Sequence, residues 1–206
     1  MFDISVDIRR AERIMTEIGR KQLPFATALA LNDTAQDVKV AAEAEVERAF
    51  DRPTPFTKRG LFVQRASKSR LTARVAFKDI QSRYLQLQAK GGVRRPTGRA
   101  LLLPSAIRLN KYGNIAKGAV ARLGARSDVF VAGRGKRGSA HLKPGIYQRQ
   151  KAKRGKAQGP KLLVSFKDSA RYDVRLQFHP VALAAARANF RKHLVSRLRQ
   201  AMASVK

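Results

Sequence analysis

Charge is the property that most narrows what this chain can form. Forty-four Lys and Arg against fourteen Asp and Glu leave a formal net charge of +30 on 206 residues. A small soluble domain typically carries a net charge of magnitude ~2–8, and a much larger excess opposes an isolated compact state by self-repulsion. The expected partner is therefore polyanionic: nucleic acid, an acidic protein surface or, last, an anionic membrane. The charge is also segregated. Residues 1–51 hold seven basic and ten acidic side chains, a net of −3, while residues 52–206 hold 37 basic and four acidic ones, a net of +33. Those four acids are Asp79, Asp128, Asp168 and Asp173, and no carboxylate lies between Asp79 and Asp128 or between Asp128 and Asp168. Such a division points to a nearly neutral scaffold segment and a basic contact surface.

A hydrophobic fraction of 44% supports a real core, and the length suits a single domain, 1–206, with an elaborated loop region. The chain has no cysteine, which excludes a disulfide framework, a thiolate metal site and a Cys nucleophile, and fits a reducing compartment. Phe2, Ile4, Val6 and Ile8 alternate with polar residues rather than forming the apolar run of a signal peptide. The longest apolar runs, 100–103 and 181–186, fall far short of the ~20 residues a bilayer requires. A soluble protein with no membrane partner is expected.

Periodicity predicts an α+β fold: two long helices, near the N- and C-termini, packed on a small, mostly antiparallel sheet, with a long basic loop. The alternation over 2–8 reads as a strand. Ala11, Ile14, Met15 and Ile18 follow helical spacing, with Gly19 as a stop. The strongest helix is expected over 24–50, opened by Pro24, whose missing N–H suits a first turn. Phe25, Ala28, Leu31, Ala35, Val38, Ala42, Val46 and Ala49 make one apolar stripe, and Asp33, Asp37, Glu43 and Glu47 take other faces. This helix would be roughly 40 Å long, and Pro53 and Pro55 end it. Residues 61–66 and 71–77 read as a hairpin. A helix over 80–88 has Asp79 as its N-cap and is closed by Gly91-Gly92, and one over 115–123 is capped by Asn114 and broken by Gly124. Strands are expected at 129–131, 145–148 and 162–166. The second long helix, 180–203, places Leu183, Ala186, Phe190, Leu194, Leu198 and Met202 on one face and Arg187, Arg191, Arg197 and Arg199 on the other.

The sharpest candidate for function is the basic, glycine-punctuated loop 133–161. Its binding residues are Arg134, Lys136, Arg137, Lys143, Arg149, Lys151, Lys153, Arg154 and Lys156, with Lys161 at its end. Glycine frees the backbone while Lys and Arg supply charge, an arrangement that suits an arm lying along phosphates without reading bases. Tyr147 is the only aromatic in the stretch, so base stacking on rings is not expected. Gly133-Arg-Gly-Lys-Arg-Gly138 matches the dinucleotide fingerprint G-x-G-x-x-G but fails its context, because Pro144 and Gly145 preclude the helix that must follow. His141, His179 and His193 lack metal-ligand spacing: His179 reads as a helix-start residue and His193 as a polar-face residue. Glu43, Glu45 and Glu47, two apart on a helix, read as a solvated face, and the sequon at Asn32 sits inside the best helix and reads as chance. Nothing assembles a nucleophile, a base and an oxyanion donor. The expectation is no catalysis, no cofactor, no metal and no small-molecule substrate.

Several segments, in order along nearly the whole chain, carry a resemblance. They are Leu23-Pro24-Phe25-Ala26, Ala30-Leu31-Asn32, Thr34-Ala35, Phe50-Asp51-Arg52-Pro53-Thr54-Pro55-Phe56-Thr57, Ala66-Ser67-Lys68, Gly91-Gly92-Val93-Arg94, Gly113-Asn114, Lys143-Pro144-Gly145-Ile146-Tyr147-Gln148-Arg149, and 172–178 leading into the C-terminal helix. Together they resemble tailed-phage minor tail proteins, similar to the lambda minor tail protein Z group of tail-completion proteins. The resemblance implies a non-enzymatic virion protein at the head–tail junction (neck) or tail, assembled in the host cytoplasm. Its partners would be other neck and tail proteins, further copies of itself in a ring, and packaged DNA held by its backbone. The family has no catalytic residues to transfer. The chain departs from the family pattern at 94–109, which is shorter, and after Gly133, where the loop is more basic. The alternative is a free basic nucleic-acid-binding protein of ribosomal or nucleoid type, with an enzyme a distant third.

Overall fold

The computed structural model describes residues 1–9, 17–133 and 138–204. They form helices and antiparallel sheets, with a long helix toward each end, as the α+β expectation has it. The chain resolves into two compact units, residues 1–90 with 174–206, and residues 91–173.

The first unit is built on α1, Glu17–Ala49. Its middle is rich in alanine and long straight-chain residues, which favour helix. The helix begins before Pro24, so Gly19 lies inside it and does not stop it. Pro24 merely fails to donate to the carbonyl four residues earlier. The 33 residues give a length of about 50 Å. The expected segment at 11–16 lies outside the described residues. After α1 the chain turns through Pro53 into a single helical turn, α2 (Pro55–Lys58), with Thr54 as its N-cap.

β1 (Phe2–Ser5), β2 (Leu61–Gln64) and β3 (Thr72–Phe77) form an antiparallel sheet in the order β1-β3-β2. Val75 pairs with Phe2 on one side and with Val63 on the other. α3 (Asp79–Lys90) follows β3, with Asp79 in its first turn, and Gly91-Gly92 follow it as expected. A short helix of the second unit, α4 (Ala119–Gly124), precedes the C-terminal helix, α5, which spans Phe178–Ala203. The core joins Leu31, Ala35, Val38, Ala42 and Val46 of α1 to Ala73 and Val75 of β3, Leu85 of α3, and Phe178, Ala182 and Ala186 of α5.

Two faces of α1 are thus buried, not one stripe. The second face also takes in Ala26, Thr27, Ala30 and Thr34. Phe25, expected in the stripe, is 39% exposed, with the Lys68 ammonium 4.9 Å from its ring centroid. On α5, Ala186 and Phe190 of the expected face pack on the core, but at its ends Leu183 and Met202 are exposed while the neighbouring Ala182 and Ala201 are buried. The carboxylates of α1 are likewise not simply solvated. Asp33 accepts from Arg197 Nε at 2.6 Å, Asp37 lies 2.7 Å from His193 Nε2, and Glu45 accepts from the Gln177 backbone N–H at 2.8 Å. Residue numbers rise along α1 as they fall along α5, so the two helices run antiparallel. Arg197 and His193, expected on a polar outer face, belong to this seam. Asn32 clamps the backbone of Ala66 through both ends of its amide, at 2.7 and 3.2 Å.

The second unit holds β4 (Gly92–Arg94), β5 (Leu101–Pro104), α4 (Ala119–Gly124), β6 (Val129–Ala132), β7 (Gly145–Gln148), β8 (Lys161–Lys167) and β9 (Ala170–Tyr172). Its first and last strands, β4 and β9, pair with each other, and the rest form an antiparallel sheet in the order β5-β8-β7-β6. Leu123, Ile146, Leu163 and Val164 are its buried cluster. The helix expected over 115–123 is shorter and is not capped by Asn114. The Asn110 carboxamide oxygen takes the N–H groups of Tyr112 and Asn114, both at 3.0 Å, and Ile115 bridges back to Leu109, so the chain turns before α4 starts.

Candidate nucleic-acid interface

The second unit carries twenty Lys and Arg against three Asp, a net of +17 over 83 residues. The expected basic arm 133–161 is not one loop. β7 runs through its middle, with Ile146 and Tyr147 buried, and Gly145 lies so close to β8 that a Cβ there would meet the Val164 carbonyl oxygen at 2.5 Å. An uninterrupted arm is excluded because Ile146 is needed for the unit's small core.

The strand divides the arm into two basic segments. Of the first, Arg134, Lys136 and Arg137 lie outside the described residues. Lys143 is exposed, and its backbone carbonyl accepts from the Tyr147 hydroxyl at 3.1 Å. The second segment joins β7 to β8 and is pinned at three levels. At its root the Arg149 N–H donates to the Asp128 carbonyl at 2.7 Å, and the Arg149 guanidinium donates to the Ser127 carbonyl at 3.0 Å while covering the Phe130 ring at 4.8 Å. Above that, the Gln150 side-chain amide reaches the Gly159 carbonyl at 2.7 Å. At the tip, Lys153 and Lys156 exchange two backbone hydrogen bonds, at 3.0 and 3.1 Å, around Arg154 and Gly155. Both central residues have φ near +50° to +75°, the conformation of a tight two-residue hairpin turn.

The structure therefore brings together Arg149, Lys151, Lys153, Arg154 and Lys156 on one hairpin-like excursion, and all five are exposed. Lys161 opens β8 at its end and is exposed too. Lys151, Lys153, Arg154 and Lys156 make no side-chain ion pair with any described residue. Lys153 faces Lys156 across the turn, and like charges directly opposite are unfavourable. The carboxylate of Asp128, whose backbone carbonyl anchors the root of the segment, is committed elsewhere. Arg126 donates to it at 2.7 and 2.9 Å and Gln148 at 2.8 Å, and these hydrogen bonds, Arg126's first, hold its pKa down at about 2. What remains is an open set of positive charges on a pinned backbone, without a counter-ion among the described residues and suited to a run of phosphates.

Sequence reasoning missed a second cationic feature, a cleft of about 590 Å³ between the segment 106–111 and α4, with Arg108 and Arg122 on its wall. The acid-free run from Asp79 to Asp128 is its sequence trace, but the irregular spacing of those arginines hides that they share a wall. Among the described residues no three His, Asp or Glu side chains come together as a metal site, and no helix is long and apolar enough to cross a membrane. Comparison of the chain with protein-family models, with curated proteins and with solved structures gives no significant match.

Proposed function

We propose that this chain is a non-catalytic assembly protein that grips the sugar–phosphate backbone of DNA with its second unit and packs against protein neighbours with its first. The observation that carries the DNA half is the β7–β8 excursion, where five exposed cations stand on a pinned turn with no carboxylate to answer the four nearest its tip. Binding of that kind is non-specific and releases counter-ions. Within that role we assign the chain to the neck of a tailed phage, as a tail-completion component in several copies at the head–tail junction. What supports this finer assignment is the ordered set of motifs from Leu23-Pro24-Phe25-Ala26 to the lead-in at 172–178.

Duplex DNA binding by the purified protein over a salt series is the direct test. Log affinity should fall linearly with log salt, by ~0.9 per phosphate contacted. Changing Lys151, Lys153, Arg154 and Lys156 to Gln should flatten that slope by up to about three to four. A slope that the four substitutions leave unchanged overturns the assignment of the excursion. The same surface serves a free ribosomal or nucleoid protein, so fractionation of infected cells decides the finer reading. Sedimentation with virions supports the neck, and sedimentation with ribosomes or chromosome replaces it.

A further inference from the structure

The cleft of the second unit differs in chemistry from the excursion. Its lining includes an aliphatic floor: Leu123 and Leu163 are buried, and Leu109 beside them is exposed. No carboxylate lines it. Arg108 and Arg122 are exposed on its wall and pair with no described acid. Arg126 also lines it but is held by Asp128. Lys111 lines it as well, its ammonium 5.1 Å from the Tyr112 ring centroid, and two neutral polar groups stand beside these cations. The Asn110 carboxamide uses its oxygen for the N–H groups of Tyr112 and Asn114, which fixes its orientation and turns its NH₂ free to donate. Gln148 gives its NH₂ to Asp128, which leaves its carbonyl oxygen free to accept. A volume of about 590 Å³ falls in the ~300–1,000 Å³ range of small-molecule sites, which combine apolar walls with a few placed polar groups.

A bare phosphate would use the arginines and waste the floor, and an apolar ligand would leave the arginines unanswered. The ligand that uses both has a flat or apolar body, donor and acceptor edges, and an anionic end. We propose that this cleft seats one nucleoside phosphate, its phosphate on Arg108 and Arg122, its base on the leucine floor, within reach of Asn110 and Gln148. The nucleotide is either free or the unpaired end of a nucleic-acid strand. The second source deepens the reading of this unit as a DNA-binding element and rests on it; the first stands without it.

Calorimetric titration of the full chain at physiological salt tests the seat, using deoxyadenosine monophosphate, deoxyadenosine and inorganic phosphate as probes. The monophosphate should bind at least about tenfold more tightly than either part alone. The double variant Arg108→Ala/Arg122→Ala should lose about tenfold or more of that affinity, whereas Lys153→Ala/Lys156→Ala, with the same charge removed from the excursion, should keep it. Ala116→Phe, which fills the cleft without changing charge, should also abolish monophosphate binding. Equal binding of monophosphate and inorganic phosphate, or equal losses in the two charge variants, overturns the proposal and leaves only diffuse electrostatics. Competition then names the source. Displacement of the bound monophosphate by a 5′-phosphorylated single-stranded oligonucleotide assigns the seat to a strand end. Retention of the monophosphate against that oligonucleotide assigns it to a free nucleotide. Blunt duplex binding, read separately on the excursion variants, reports on the backbone grip alone.

Discussion

Both units of this protein are basic, yet they treat their charge in opposite ways. The first has 24 Lys and Arg against eleven Asp and Glu, a net of +13, and the second a net of +17. In the first, several carboxylates meet cations from other elements, Asp33 with Arg197, Asp3 with Arg74 and Glu47 with Lys58, beside local pairs such as Glu45 with Arg48. In the second, Asp128 is held by Arg126, two positions away. The cores differ in the same sense. Sixteen buried residues cluster in the first unit and four in the second. Net charge alone therefore does not mark a binding surface. What favours one is a set of cations without fixed partners, and that is why the proposed grip is placed on the excursion rather than on the first unit.

The largest effect that would test this division is in the first core. Leu31 is fully buried on α1, and Leu31→Ala should cost about 2–5 kcal/mol in urea unfolding. Replacing Lys153, Arg154 and Lys156 by Gln removes no ion pair and should leave that unfolding within ~0.5 kcal/mol of the parent, while weakening duplex binding. A loss of stability from the second variant comparable to that from the first would break the contrast.

Next is Glu45, buried beneath the start of α5. Its carboxylate accepts from Arg48 at 2.6 and 2.8 Å and from the Gln177 N–H. Glu45→Ala leaves that N–H without its acceptor and should cost about 1–3 kcal/mol. The Arg48 hydrogen bond lowers the pKa of Glu45 against the upward push of burial. The folded pKa lies below the unfolded one, so the stabilisation is present above the ordinary carboxylate range and is lost as pH falls through the folded value. Acid unfolding of Glu45→Ala should show a correspondingly weaker pH dependence. Smaller still is the coupling between Asp33 and Arg197, a half-buried pair for which a double-mutant cycle should give roughly 0.2–1 kcal/mol. A coupling of zero would mean that packing alone aligns α1 with α5.

The framework of the first unit was legible because its signals are local. The Leu31-to-Val46 stripe, the proline stop after Phe50 and the alternation in 71–77 all report their own burial. What the sequence hid is pairing at long range. Asp37 and His193 are 156 positions apart, and nothing near either residue says that they meet, so both read as surface. Glu45 read as one of three solvated acids because α5, which covers it, is equally remote. In the second unit the cations of the excursion were legible as charge, but their geometry was not. The strands expected at 145–148 and 162–166 are there as β7 and β8, but a reading of glycine and lysine content treats 133–161 as one loop across the first of them. The cleft was missed for a similar reason, since Asn110, rather than the expected cap Asn114, organises the turn that forms its wall.

The smallest effect is expected at Asp128, and it bears most directly on the contrast. Its pKa is held down at about 2 by Arg126 first and Gln148 second, so an NMR titration should place its midpoint there, and Arg126→Ala should return it toward the ordinary ~3.9. The folded value is the lower one, so whatever the pair contributes is present at neutral pH and fades as pH falls from about 4 to about 2. The carboxylate is open to solvent, which screens that contribution, so unfolding is a poor readout and DNA binding a better one. Asp128→Asn removes a negative charge and releases Arg126, while the backbone carbonyl that anchors Arg149 remains. If the second unit keeps its charge unpaired for binding, this variant should bind duplex slightly more tightly, with a salt slope steeper by at most about one. Weaker binding would mean that the Arg126–Asp128 pair positions the surface. The second unit would then use its carboxylate as the first does, to hold structure, and the two units would differ only in how many such pairs they contain.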